Sequence, residues 1–527
     1  MFPRGSGRLI TPHPHMEDSA AAAATGRAWW LAFAAALALY TLTLAPDVLM
    51  MDSGEYQVAV HRFPRLDLGE RPADLVRVHP VYLASAKLVS LLPVGNPAWR
   101  VNFTSALFGA IAVANAALLS LRLTRRPSAA LLAGLTLAVG HTLWAFSVIA
   151  EVMSMLAALI SAELLCWEAY TRNRRTLPLL ALAAINGLGV ATHLQLGLCT
   201  PLHVGLLLRL AARRRVSVGL LAAWAGVWLV GTLPYSGMVA YYLYHTGDIG
   251  FVLRSATLGK FGASPRQLQA ATLLRGLAAV VLNYPTLLIA LAVPGALRLL
   301  RSTLVELRVA VLGAAAVQFL FAITYHVPDQ YSFFVPFYTV AAVLIAVGAV
   351  DLPGRPAWRI ALPMLAMLPA PIYAAAAPLM RRMELPIVRR SLPYRDPYDF
   401  FIKPWKHGDT GQRRFVTEAF ARLPDGAALL TSFTMKFMFE YAQRVDGLRP
   451  DVVLLDDPRE LIMLIDVAAD GSARWRRPVF AADVESSHFP AALRRQCDAQ
   501  RDGIIWRLAP PRDPAALQRE LAPLSSD

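Results

Sequence analysis

Charge and cysteine are both scarce in this chain of 527 residues: Asp, Glu, Lys and Arg together make up 17%, and there are three cysteines, Cys166, Cys199 and Cys497. Cysteines so few and so scattered exclude a disulfide framework and a thiolate zinc site. Lysine is nearly absent beside arginine. The formal charge of +15 would suit a nucleic-acid binder, but no basic helix with interleaved aromatics stands out, and that class is excluded. Many arginines sit instead in short connections between apolar runs. What is abundant is hydrophobic sequence, 56% of residues with a mean hydropathy of +0.45, in runs long enough to cross a hydrocarbon core of about 30 Å.

These runs predict a polytopic α-helical membrane protein of about eleven transmembrane helices with a small C-terminal α/β domain. The spans fall near 28–46, 101–122, 128–147, 152–170, 177–192, 196–211, 216–238, 268–294, 309–325, 332–350 and 360–377. Residues 1–27, rich in Ala, Pro, Gly and His, read as a disordered cytoplasmic leader, and 28–378 as the membrane domain. The first span could pass for a signal peptide, but its long core and the spans that follow favour an uncleaved anchor. With the N-terminus inside, Arg122, Arg125 and Arg126, Arg172, Arg174 and Arg175, and Arg213, Arg214 and Arg215 all fall in cytoplasmic loops. The short opposite loops near Glu151, His193 and His326 carry no Lys or Arg, as the positive-inside bias requires. Gly187, Gly189, His193, Gln195 and Pro201 interrupt the apolar stretch 177–211 and divide it in two.

Two long loops, 47–100 and 239–267, then lie on the outer side, as does the tail, 379–527. Helical apolar spacing at 54–63 and 79–92 suits helices lying on a membrane surface. In the tail, short apolar strands are predicted at 427–432, 452–455, 479–482 and 503–508, with helices at 411–423, 434–445 and 490–501, and turns at Asp425-Gly426 and Asp446-Gly447. The tail has no internal repeat, P-loop, Rossmann fingerprint or nucleophile elbow, so binding, covering the site or holding an acceptor is its expected work.

Chemistry-bearing residues gather on the outer side. Asp52 and Glu55, three apart at the start of a helix, share one face, and the helix N-terminus favours their ionised form. Spacing alone leaves Asp52 and Ser53 equally readable as N-caps. His79, Glu151 and His193 stand at the same depth, where ionisable groups tend to be paired and functional, although a helix-start role for Glu151 and a helix-end role for His193 are open alternatives. Asp329 adds a further acid near His326. Arg254, Lys260 and Arg266 in the second long loop, with Arg62, Arg65, Arg71 and Arg77 in the first, could meet a phosphate-bearing lipid or only anionic headgroups.

At these residues the sequence resembles a family. Asp52-Ser53-Gly54-Glu55, His79-Pro80, Pro97-Ala98-Trp99-Arg100-Val101-Asn102, Ala150-Glu151-Val152 and Thr192-His193 are similar to the GT-C superfamily of membrane glycosyltransferases. More narrowly they resemble a domain family, long of unknown function, that includes the eukaryotic O-mannosyltransferase acting on plexin-type receptor domains. The likeness continues through Tyr325-His326-Val327-Pro328-Asp329 and into the tail at Leu448-Arg449-Pro450-Asp451-Val452. The chain departs from the family pattern at Val81-Tyr82, where a proline and a glycine are usual, at Met153, where an aromatic is, and at Ser432-Phe433-Thr434, where an acidic turn is.

The resemblance implies transfer of a sugar, mannose-like, from a polyprenyl-phosphate donor to an acceptor hydroxyl on protein, glycan or lipid, with inversion at the anomeric carbon. It implies Asp52 as general base, with Glu55 orienting the acceptor or its sugar, His79, Glu151, His193 and Asp329 lining the site, and Arg254 and Lys260 touching phosphate. No cofactor is expected. Asp52, Glu55 and Glu151 are hard oxygen ligands, but no spacing demands a metal, and none is predicted. Partners are the lipid donor, the acceptor and membrane lipid, with no nucleic acid. Arginine- and alanine-rich composition points to a bacterial inner membrane, with the site and the tail in the periplasm. The competing class, a lipid or sugar transporter or flippase, predicts ionisable residues in mid-span and similar halves. Here the acids gather at one face and the halves differ. A structural receptor would explain the tail but not the polar cluster.

Overall fold

Each of the eleven expected apolar stretches is helical in the computed structural model, which describes residues 19–66, 68–259, 269–350, 352, 356–385, 392–469, 472–485 and 489–522. By length and apolarity, seven helices among the described residues can cross a membrane: Pro97–Thr124, Met153–Asn173, Leu194–Ala212, Val218–Thr246, Val305–Thr324, Gln330–Ala349 and Ile360–Arg382. The number rises to nine when each of two bent pairs counts as one. Helices Ser19–Leu42 and Leu177–Thr192 occupy the two remaining expected positions. The chain is an integral membrane protein.

Three expectations need correction here. The first helix begins at Ser19, inside the segment read as disordered, because Ala20–Ala24 is a run of the strongest helix former. The stretch 128–147 is not straight: Pro127–Ala138 and His141–Ser147 meet at 67° across Val139-Gly140. The stretch 268–294 bends by 102° after Asn283, where Pro285 cannot continue a hydrogen-bonded turn.

The chain divides into two compact units. The first holds residues up to Thr43 with 67–85 and 103–375. Its helices close on each other at glycines, as membrane helices do when no water drives their packing. Gly187 on helix Leu177–Thr192 faces Gly231 on Val218–Thr246, and a Cβ on either would meet the other at 3.0 Å or nearer. Gly295 on Ala292–Leu300 meets Gly348 on Val335–Ala349 in the same way, each against a carbonyl oxygen of the partner helix. A buried polar network ties four of the segments together. Glu163 accepts from Asn186 at 2.7 Å and lies 3.0 Å from His203, whose other ring nitrogen accepts from Trp167, while Asn186 accepts from Thr200 and Trp228.

The second unit holds 44–66, 86–102 and 376–527. Its five-stranded sheet contains β1 (Ala428–Leu430), β2 (Val453–Leu455), β5 (Val479–Ala481), β6 (Ala499–Asp502) and β7 (Ile505–Leu508), in the order β2-β1-β5-β7-β6. β1 runs parallel to β2 and β5, and β7 is antiparallel to β5 and β6. A separate hairpin pairs β3 (Ile465–Val467) with β4 (Ala473–Trp475). One sheet face, with Leu429, Phe480 and Ile505, packs on Phe415, Val416, Met435 and Phe439 of helices Gly411–Arg422 and Phe433–Arg444. The other, with Leu430, Val479 and Ala481, packs on Leu493, Leu517 and Leu521. The expected helix at 490–501 stops at Gln496, and Ala499–Asp502 is instead the edge strand. Gly426 and Gly447 take left-handed backbone at the two predicted turns, with φ of 67° and 70°.

Lys406 lies buried in this unit, its ammonium donating to the carbonyls of Phe400 and Lys403. Burial lowers its pKa to about 7, further lowered by Arg395 and partly offset by Asp409 and Asp399. Between pH 7 and 10.5 the unfolded chain holds this proton and the native one does not, so stability from this group rises with pH across that window. A thermal unfolding series should therefore show the gap between Lys406→Met and wild type moving in favour of wild type as pH is raised from about 7 to about 10.

Candidate functional site

The helix bearing Asp52 and Glu55, Met51–Arg62, belongs to the second unit. Its N-cap is Met50, with no side-chain capping bond, so neither Asp52 nor Ser53 fills the capping role that spacing left open. Met51, next in line, has φ of 57°, a conformation that costs a side-chain-bearing residue on the order of 1–3 kcal/mol and persists only where surroundings enforce it. The enforcement is visible. Gln57 accepts from the Leu49 N–H at 3.0 Å and donates to Asn102 at 2.9 Å, and Asn102 donates to the Ala45 carbonyl at 3.0 Å. Both amides are almost wholly buried. Arg413 clasps both oxygens of Asp47 at 2.8 Å and also pairs with Asp446. On the far side, Gly54 lets the helix close on the Leu49 carbonyl and Phe437 where a Cβ would collide, and Arg62 pairs with Glu440 at 3.8 Å. Asp52 and Glu55 are half-buried in the first turns of this braced helix.

Gln57→Leu strands the Leu49 N–H and one side of Asn102, at about 1–3 kcal/mol for each buried group. The apparent unfolding temperature of the purified protein should fall accordingly, and an unchanged midpoint would show that the amide pair braces nothing.

His79, Glu151 and His193 belong to the first unit, where the two histidine rings meet each other and the Glu151 backbone is held separately. The His79 Nδ1–H donates to the Thr192 carbonyl at 2.8 Å, since a carbonyl can only accept. The His193 Nδ1 accepts from the Gln195 N–H at 3.1 Å, which places that ring's proton on Nε2 in its neutral form. The rings stack at 5.1 Å with planes 14° apart. Burial, the neighbouring His193 ring and Arg77 hold the His79 pKa well below the usual histidine range, against the opposing pull of the Thr192 bond. At neutral pH His79 is therefore a neutral ring rather than a phosphate-binding cation. Ser105 Oγ donates to the Glu151 carbonyl and accepts the Glu151 N–H, both at 2.9 Å, and Tyr82 completes the set at 2.9 Å from Ser105. Glu151 precedes the N-cap of helix Met153–Asn173, and that N-cap is Val152, without a side-chain bond.

The break at His193 is held from behind. Gln195 donates to Gln318 and to the Phe333 carbonyl, both at 2.8 Å, and the Phe333 ring meets His193 edge-on at 5.9 Å. Asp329 is exposed at the head of the turn Gln330–Phe334, and Phe333 of that turn meets His193. Arg254 is exposed on helix Ile249–Thr257, which is fixed to the first loop by Ser255 bonds to the Leu75 N–H and the Pro72 carbonyl. Lys260 lies outside the described residues. Ser105, Gln57 and Gln318 went unnoticed in the sequence because uncharged polar residues in helices carry no spacing signal, and Tyr82 stood out only as a departure from the family pattern. Asn102 did have one, at the end of the Pro97–Asn102 motif.

Residues 52–216 match the family model described as the N-terminal domain of the protein O-mannosyl-transferase TMEM260. That segment, under a third of the chain, is what is similar to the TMEM260 N-terminal domain. The mouse protein O-mannosyl-transferase TMEM260 is 28% identical to the chain over 209 residues, which are 38% of this chain and 29% of the mouse protein. The TMEM260-type segment takes in Asp52, Glu55, His79, Glu151 and His193, and leaves out Arg254, Lys260 and Asp329. Among solved structures, ArnT from Cupriavidus metallidurans in the apo state shares the fold with a TM-score of 0.59 at 15% identity, over 92% of this chain and 98% of that one. The same enzyme bound to undecaprenyl phosphate superposes with a TM-score of 0.58 at 16% identity over the same shares. The fold is thus of the GT-C kind expected from the resemblance. Among the described residues, no group of three or more His, Cys, Asp or Glu is spaced to hold a metal ion.

Proposed function

We propose that this chain is a GT-C membrane glycosyltransferase that moves a mannose-like sugar from a polyprenyl-phosphate donor to an acceptor hydroxyl on the outer face of the membrane. One observation carries the reading: the segment similar to an O-mannosyl-transferase domain starts at Asp52 and includes four more of the candidate residues. A protein of the same fold holds undecaprenyl phosphate, which supports a lipid-phosphate donor.

On this reading the acceptor oxygen attacks the anomeric carbon while Asp52 takes its proton, and the bond to the lipid phosphate breaks with its electron pair passing to that phosphate. A single displacement inverts the anomeric configuration. Phosphate is a good leaving group, so one base and electrostatic support of the departing charge suffice. Glu55 orients the acceptor or its sugar. His79, Glu151, His193 and Asp329 line the site, the two histidines as neutral hydrogen-bonding rings, and Arg254 and Lys260 contact phosphate. We place the chain in a bacterial inner membrane with its N-terminus cytoplasmic, and the site and a domain spanning 379–527 in the periplasm. Acceptors of three classes, protein, glycan and lipid, fit this chemistry.

The test is transfer of label from radiolabelled polyprenyl-phosphate mannose and polyprenyl-phosphate glucose into membranes that contain the protein, against membranes that lack it. Label in the protein, glycan or lipid fraction identifies the acceptor class. Absence of transfer from both donors would sink the reading.

A further inference from the structure

A cavity of about 300 Å³ opens in the second unit, lined by Pro393, Tyr394, Asp483, Glu485, Arg501 and Trp506. It lies beyond the carboxyl end of β5, beside the antiparallel hairpin of β6 and β7. Asp483 and Glu485 follow the carboxyl end of β5 directly. Trp506 on β7 pairs in register with Ala481 on one side and Arg501 on the other, and the Arg501 guanidinium lies 5.8 Å from the indole centroid.

The cleft carries charge of both signs. Three arginines elsewhere in the unit are paired, Arg449 with Asp451 at 2.7 Å, Arg495 with Glu520 at 2.6 Å and Arg512 with Asp498 at 2.6 Å. Among the described residues no ion pair engages Arg501 or Glu485, although both line one cavity, and Arg501 donates only through Nε to the Gly503 carbonyl. The Trp506 indole N–H likewise has no partner there. Opposite charges kept apart in one cleft, beside a flat indole, suit a ligand that offers donors and acceptors around a single ring. An anion would meet two carboxylates and a cation would meet a guanidinium, whereas adjacent hydroxyls satisfy both. The volume stands at the small end for ligand pockets, room for one or two rings rather than a folded segment.

We infer that this is a saccharide-binding cleft, taking a neutral hexose ring of a glycan against Trp506 with its hydroxyls shared among Arg501, Glu485 and Asp483. The inference goes beyond the transferase reading and does not rest on it, because binding is measured without transfer.

The experiment is saturation-transfer NMR on the full chain in phosphatidylethanolamine nanodiscs, with mannobiose, maltose and chitobiose as probes. At least one probe should show transfer to its ring protons. Trp506→Ala should reduce it about fivefold or more, while Trp506→Phe, which keeps an aromatic face, retains over about half. Arg501→Ala, at an exposed side chain, guards against a folding artefact and should weaken the signal about threefold. Asp52→Asn should leave it intact. Failure of all three probes, equal signals in wild type, Trp506→Ala and Arg501→Ala, or loss in Asp52→Asn alone would each overturn the assignment.

Discussion

Sugar transfer by Asp52→Asn is expected to fall about 10³-fold, with expression and unfolding temperature close to wild type. The substitution is isosteric and keeps a hydrogen-bonding oxygen, but an amide cannot take the acceptor proton. Its structural cost is small: the lost charge at a helix N-terminus contributes about 0.3–1 kcal/mol, and neither Asp52 nor Ser53 is the N-cap. The loss should appear in kcat, because the proton moves only as the new bond forms. Glu55→Gln, removing an orienting contact, should chiefly raise KM for the acceptor. Equal transfer by wild type and Asp52→Asn would remove Asp52 from the mechanism, whatever the standing of the fold.

Gly348→Leu should abolish accumulation of folded protein. A Cβ at this position would lie far inside van der Waals contact distance of the Leu291 carbonyl oxygen and 2.8 Å from the Gly295 amide nitrogen, both backbone atoms that no rotamer change can move aside. Overpacking that side chains can absorb costs about 1–3 kcal/mol, and a backbone clash in a tightly packed crossing exceeds it. Gly205→Leu is the control, since nothing lies within 4 Å of that glycine's would-be Cβ. Detergent-extracted yield and size-exclusion profile separate the two. Wild-type yield of Gly348→Leu would mean that the helices Ala292–Leu300 and Val335–Ala349 cross elsewhere than at this pair.

How much of this was legible beforehand depends on the kind of signal. Apolar runs located every long membrane helix, and Gly187, Gly189 and His193 announced the break that the structure places at His193. The bends after Ala138 and Asn283 were missed because hydropathy averages over a window and does not register direction, although Pro285 was there to be read. In the tail, buried strands such as Ala428–Leu430 declared themselves by hydrophobicity. Edge strand Ala499–Asp502 and the paired strands Ile465–Val467 and Ala473–Trp475 did not, for they bury too little to need an apolar pattern. At the candidate site the charged residues stood out, whereas their supports did not. That helix Met51–Arg62 packs with the tail's Phe433–Arg444 in one unit is a long-range fact, written in Gly54 and Val58 only once the partner surface is known.

The composition of β6 has a consequence for the behaviour of the tail in concentrated solution. An outermost strand exposes unpaired amide and carbonyl groups along its free side and so invites a second molecule to add to the sheet. Here that strand reads Ala-Gln-Arg-Asp, is four residues long and ends in a tight Gly503 turn, with Arg501 exposed. A neighbouring copy docking strand to strand would have to take up the charged Arg501 and Asp502 side chains and would gain almost no apolar contact, so the sheet resists growing into aggregates from that side.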